Sequence, residues 1–173
     1  MLIDELKKRI RDVPDFPKAG ILFRDITPLL SDGRAFHQAI DFLGERYAGG
    51  EVDVVVGVEA RGFIMGAALA YRLGAGNALV RKPGKLPFKT NRTTYALEYG
   101  TDTLEIHQDA IRPGQRVVLA DDLLATGGTI SAAAELVRQL GGNIVELAFL
   151  IELTGLKGRE RLAGLPVFSL IQY

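Results

Sequence analysis

The sequence predicts an α/β fold, a mainly parallel β-sheet flanked by helices, and three observations carry that expectation. Short runs rich in Val, Ile and Leu recur at 53–58 (DVVVGV), 77–81 (NALVR), 116–120 (RVVLA) and 143–153 (NIVELAFLIEL), with PVFSLIQ at 166–172 as a further strand. Helix-like segments follow the first and third runs, and strand alternating with helix implies parallel pairing through right-handed crossovers. The unusual polar residues cluster just past the carboxyl ends of these runs, where open α/β sheets bind ligands.

Taken in order, Ile3, Leu6 and Ile10 recur at spacings of three and four and predict an amphipathic N-terminal helix. Phe36, Ile40, Leu43 and Tyr47 predict a second helix, with Ser31 or Asp32 as its N-cap. Between them PDFPKAGILFRDITPLL, at 14–30, reads as a long Pro-punctuated connection, a type that is often functional. The segments TTYALEYG and TDTLEIHQDAI read as a polar antiparallel excursion outside the core of the sheet. PGKLPFKTNRTTYALEYG, with Pro and Gly punctuation and few apolar anchors, suits a closing lid. A helix is expected from Ile130 to Leu140.

With 173 residues and 47% hydrophobic composition, the chain can bury one core and is short for two, so one domain over 1–173 is expected. Lys plus Arg equals Asp plus Glu at 21 each, so no global positive field draws the protein to nucleic acid or an anionic membrane. The start, MLIDELKKRI, alternates acids and bases where a signal peptide needs an apolar segment, and no apolar run is long enough to span a bilayer. Together with the absence of Cys this predicts a cytoplasmic protein without disulfides. His37 is expected on the surface and His107 in a structural role; two lone His and no Cys argue against zinc. Ser31, Ser131 and Ser169 lie in no nucleophile-elbow setting, and neither a dinucleotide fingerprint nor a Walker-type loop occurs.

The informative stretch is VVLADDLLATGGTISAAAELV, Val117 to Val137. Ala125, Thr126, Gly127, Gly128 and Thr129 form the turn into a helix, whose free N–H groups and dipole favour an anion. The two glycines allow close approach of backbone to ligand, and the Thr hydroxyls add donors, so the turn reads as a phosphate cradle. Asp121 and Asp122 can only accept; they suit neighbouring ribose hydroxyls or a hydrated Mg²⁺. Arg61 follows the first strand, and Arg81, Lys82 and Lys85 follow the second, so several cations would converge near the cradle and oppose a diphosphate.

VVLADDLLATGGT resembles the phosphoribosyl-diphosphate (PRPP) motif of the type I phosphoribosyltransferase family, in the form of its adenine-using members. The likeness runs from DFPKAGILFRDITPLL through GVEARGF, VRKPGKLP and YALEYGTDTLEIHQDAI to LTGLKGRERL, nearly the whole chain. It implies the type I phosphoribosyltransferase fold, with a small N-terminal hood at about 1–35 and a flexible antiparallel lid at about 83–108. It also implies transfer of the 5-phosphoribosyl group from PRPP to adenine, giving AMP and diphosphate, with Mg²⁺ carried on PRPP and held, through water, from Asp121 and Asp122. In the resemblance Glu59, Ala60 and Arg61 match the diphosphate loop, and Phe23 matches the aromatic that stacks on adenine. Backbone groups at Leu22 and Arg24 read the base edge, and Leu156 covers the other face. Glu98 falls at the reacting centre, beside Tyr95 and Tyr99 of the lid. A homodimer in the cytoplasm is implied, with no nucleic-acid or membrane partner. The alternatives are a transferase for another purine and a non-enzymatic PRPP-sensing regulator of the same fold. Related 6-oxopurine enzymes carry an acid where this chain has Ala125, and a regulator needs a DNA-binding region or a basic face.

Overall fold

A computed structural model describes residues 3–97 and 99–173. The strand β3 (Val54–Val58) is buried along its whole length, because helices cover both faces of the sheet. Parallel to it run β4 (Gly76–Arg81) on one side and β7 (Arg116–Leu124) on the other, followed outward by β8 (Asn143–Glu152) and β9 (Val167–Gln172). The antiparallel hairpin of β5 (Thr90–Ala96) and β6 (Thr101–His107) completes a seven-stranded sheet in the order β5-β6-β4-β3-β7-β8-β9.

Two cores form because successive strand residues face opposite ways. Val55, Val118 and Ala120 pack with Ala39, Leu43, Met65 and Leu69 from α3 (Gly33–Glu45) and α4 (Gly62–Leu73). Val56, Val117 and Leu119 pack on the other face with Ile130, Ala133 and Val137 of α5 (Gly128–Gln139). The Asp32 side chain accepts from the Arg34 and Ala35 amides at 3.1 Å each and so caps α3; Ser31 ends the preceding helix, α2 (Thr27–Ser31). Among the described residues no helix is long and apolar enough to cross a membrane.

The sequence expectations need four corrections. The first helix, α1, covers Ile3–Lys7 and stops short of Ile10; three-residue turn bonds at Arg9 and Ile10 lead instead into β1 (Arg11–Val13). The connection at 14–30 is not irregular throughout, since β2 (Phe23–Asp25) pairs antiparallel with β1 and α2 follows it. The hairpin is antiparallel but belongs to the core, as Leu104 and Ile106 are fully buried and β6 pairs with β4. The strand expected at 116–120 runs on to Leu124 because β8 pairs with it as far as Glu152, so both acids of the doublet lie within the strand.

Candidate active site

At the end of β7 the chain turns through Ala125, Thr126 and Gly127 into α5. Gly127 has φ +83°, and a Cβ there would lie 2.5 Å from the Gly158 carbonyl oxygen; a Cβ on Gly158 would in turn meet the Ala125 carbonyl oxygen at 2.4 Å. Cradle and the 3₁₀ turn Gly158–Leu162 therefore fit only through paired glycines. That turn is anchored by Arg159, which donates to both oxygens of buried Glu152 at 2.8 Å, while Ser169 donates to the same carboxylate at 2.5 Å. The first turn of α5 carries no side-chain cap and no acid, so its amides remain for an anion. A cavity of about 330 Å³ opens there, lined by Glu59, Ala60, Arg61 and residues 121–130.

Both acids face this cavity, and they sit differently. Asp122 is buried and accepts from Arg61 Nε at 2.5 Å. Asp121 Oδ1 accepts the Asp122 amide at 2.8 Å and lies where a Cβ on Gly62 would come within 2.7 Å of it, so a glycine must open α4. Burial, and then the charge of Asp122, push the Asp121 carboxyl well above its ordinary range.

The four expected cations do not converge equally. Arg61 lines the cavity, half-exposed. Arg81 lies 3.6 Å from Glu59, with a buried Nε that has no hydrogen-bond partner and its guanidinium 5.7 Å from the Phe63 ring. Lys82 donates its amide to Glu59 and pairs its ammonium with Asp102. Lys85 is exposed in the loop beyond. The Glu59-Ala60 peptide is cis.

A second, mainly apolar cavity of about 410 Å³ adjoins the first through Arg61 and is lined by Val13, Phe16, Phe23, Arg24, Asp25, Ile26 and Thr27. Phe23 meets Phe16 edge to face at 5.1 Å, and the Arg61 guanidinium stands 5.7 Å from the Phe23 ring. The Arg24 side chain is engaged elsewhere: it pairs with Asp12 and lies 3.9 Å over the Tyr173 ring. Leu22 and Leu156 are half-exposed and do not line this cavity. Leu156 ends the turn Thr154–Leu156, which holds to Tyr173 through the Thr154 amide and hydroxyl at 3.0 and 2.7 Å.

Tyr95 reaches Thr129 Oγ1 at 3.2 Å, tying the hairpin to the cradle, while Tyr99 is exposed. Glu98 lies outside the described residues. His37 is exposed beside Asp41, and His107 Nε2 accepts the Phe88 amide at 3.2 Å, a structural role. Sequence reasoning missed Phe16, although it has the Pro-bounded setting that singled out Phe23. It also missed Gly62 and Gly158, whose need appears only when distant segments meet.

The family of the phosphoribosyl transferase domain matches residues 29–168, which take in β3 to β8, the start of β9 and the cradle, and leave out the two-stranded sheet of β1 and β2. Sheet and cradle thus define a phosphoribosyltransferase. The adenine phosphoribosyltransferase of Syntrophotalea carbinolica is 64% identical over 99% of this chain and all of that one. A crystal structure of the enzyme of that name from Thermoanaerobacter pseudethanolicus is 55% identical, with TM-score 0.96 over 99% of this chain and 100% of the other. That from Saccharomyces cerevisiae, complexed with an imino-altritol bisphosphate and adenine, is 44% identical, with TM-score 0.92 over 97% of each chain. The chain belongs to the adenine phosphoribosyltransferase family.

Proposed function

We infer that this protein transfers the 5-phosphoribosyl group from PRPP to adenine, giving AMP and diphosphate. The observation that carries the reading is the pair of unlike cavities that share Arg61: a polar one at a helix N-terminus and an apolar one walled by Phe16 and Phe23. A phosphorylated sugar fits the first and a planar base the second, so C1 of the ribose and N9 of the purine meet near Arg61. The amides and hydroxyls of 126–129 take the 5-phosphate, and Asp121 and Asp122 take the ribose hydroxyls. Arg61, Arg81, Lys82 and Lys85 oppose the charge on diphosphate as it leaves and positive charge builds on the ribose ring. Phe23 stacks on adenine, backbone at Leu22 and Arg24 reads its edge, and Leu156 covers it from the adjoining turn.

Among the described residues no group of three or more His, Cys, Asp or Glu is gathered for a metal. Two carboxylates beside a phosphate cradle fit a Mg²⁺ that arrives on PRPP and keeps much of its water. Such an ion neutralises phosphate charge. Glu98 manages the purine proton: Glu98→Gln should lower turnover by about 10² to 10⁴-fold with modest change in either KM, and wild-type turnover in that variant would remove the assignment. The exposed loop at 83–89 and the tip of the hairpin close over the site while β6 stays in the sheet, and residues 1–35 act as the hood. The protein works in the cytoplasm as a homodimer; exposed Ile64 and Tyr71, two turns apart on α4, offer a second copy an apolar face.

Incubation with PRPP, Mg²⁺ and each purine base in turn tests the reading. AMP should form from adenine, with little mononucleotide from guanine or hypoxanthine. The reverse preference would make this a transferase for another purine.

A further inference from the structure

Asp102 has no part in the reading above, yet it gathers three donors. On β6 it stands opposite Tyr95 of β5. Its Oδ1 accepts the Thr103 amide at 2.9 Å, while Oδ2 accepts the Tyr95 hydroxyl at 3.3 Å and pairs with the Lys82 ammonium. The Tyr95 oxygen in turn lies 3.2 Å from Thr129 Oγ1 on the cradle.

The direction of these bonds follows from counting protons. Hydrogen bonding from Lys82, above all, holds the Asp102 carboxyl below its ordinary range, so it is ionised and can only accept. A phenol has one proton, and here Asp102 takes it. The Thr129 hydroxyl must then give its own proton to the Tyr95 oxygen, away from the cradle. Both donors that an incoming phosphorylated ligand needs, the Lys82 ammonium and the Thr129 hydroxyl, are already engaged in one chain that ends on Asp102.

We propose that Asp102 is a latch: a positioning residue that holds Lys82 directly, and Thr129 through Tyr95, until the diphosphate and 5-phosphate of the substrate take those donors from it. The inference rests on the PRPP reading above. It means that Asp102 lowers affinity for the substrate, because only the unlatched fraction of the protein offers both donors. The Lys82 and Asp102 side chains are 42% and 28% exposed, so solvent screens the pair and the effect is several-fold.

Calorimetric titration in the presence of Mg²⁺ with two probes, inorganic diphosphate and ribose 5-phosphate, tests the latch. Asp102→Asn keeps the shape and removes the charge; it should bind diphosphate about three- to tenfold more tightly than wild type. Tyr95→Phe frees the Thr129 hydroxyl without changing any charge, and should tighten ribose 5-phosphate by about two- to fivefold while leaving diphosphate unchanged. In a Lys82→Met background the Asp102→Asn gain for diphosphate should vanish, whereas simple repulsion between Asp102 and a polyanion would persist. Unchanged or weaker diphosphate binding in Asp102→Asn, a gain that survives in Lys82→Met, or weaker ribose 5-phosphate binding in Tyr95→Phe would each overturn the proposal. AMP formation by the wild type tests the functional reading separately, so the two can fail apart.

Discussion

At the cradle the groups that we propose take phosphate are mainly backbone: the turn 125–129 sits between a central strand and a helix, and interlocked glycines fix its position against the turn 158–162. In the apolar cavity the surface that we propose takes the base is built by two side chains, Phe23 on β2 and Phe16 in the loop before it, outside the main sheet. The contrast suits the two ligands. A phosphate is small and identical in every nucleotide, so amides aimed by the fold suffice; a base is flat and largely apolar, so it needs surface to stack on. Substitutions should therefore disturb the whole reaction at the cradle and one substrate in the hood.

The sharpest test of this contrast is Gly127→Val. With φ at +83° and the Gly158 oxygen 2.5 Å from the new Cβ, the cradle must deform. PRPP affinity should fall by about 10²-fold or more, with a loss of thermal stability, since strain and a backbone clash act together. Gly128→Ala is the milder counterpart: its Cβ would meet the far end of the Arg161 side chain at 2.9 Å and the Tyr95 ring at 3.7 and 3.8 Å, with no backbone in the way, and PRPP affinity measured by calorimetry should fall far less. Equal damage from both would mean that the cradle does not depend on this interlock.

Phe23→Ala comes next. Stacking on a base is worth roughly 1 to 3 kcal/mol, so the adenine KM should rise by about 5- to 150-fold while the PRPP KM stays near wild type. Initial rates with each substrate varied in turn decide it. Equal rises in both would show that Phe23 supports the site through Arg61, 5.7 Å from its ring, and the division between the regions would break down.

The smallest effect is on stability, from Asp121→Asn. Burial and the charge of Asp122 raise this carboxyl above its ordinary 3.8 in the folded protein. Well below 3.8 the acid is protonated folded and unfolded alike, and it costs nothing. As pH rises from 3.8 toward the raised folded value, the unfolded chain releases a proton that the folded protein keeps, which opposes folding, and above the folded value the cost levels off; the Asn variant escapes it. Its melting temperature should match wild type near about pH 3 and exceed it increasingly as pH rises above 3.8, by about 2–4 °C per kcal/mol released. A difference independent of pH would mean that packing against Gly62, not charge, dominates there.

Much of this was legible in the sequence. Val-rich runs and helix periodicity gave the sheet and its two covered faces, and the doublet with its Gly-Gly turn marked the strand-to-helix turn that lines the polar cavity, because such a turn is built from consecutive residues. Phe16 was missed because an aromatic in a loop shows its use only once it meets Phe23 at 5.1 Å. The cations were read as one group, yet Lys82 is held by Asp102 and Arg81 stands beside Glu59, partners chosen by strand register.

What the sequence determined by itself is what local chemistry fixes: the main parallel strands and the longer helices, a cap at Ser31 or Asp32, and the acid pair followed by the two glycines. What only the tertiary structure decided are meetings across the chain. Arg61 joins Asp122 from 61 residues away and stands between the two cavities; Gly158 closes on Ala125 and Gly127; Asp102 reaches Lys82 and Tyr95. The reason is physical. Periodicity and turn chemistry act over a few residues, whereas a contact between distant residues depends on the order of strands in the sheet and on how closely its helices pack, and both follow from burying the whole core at once.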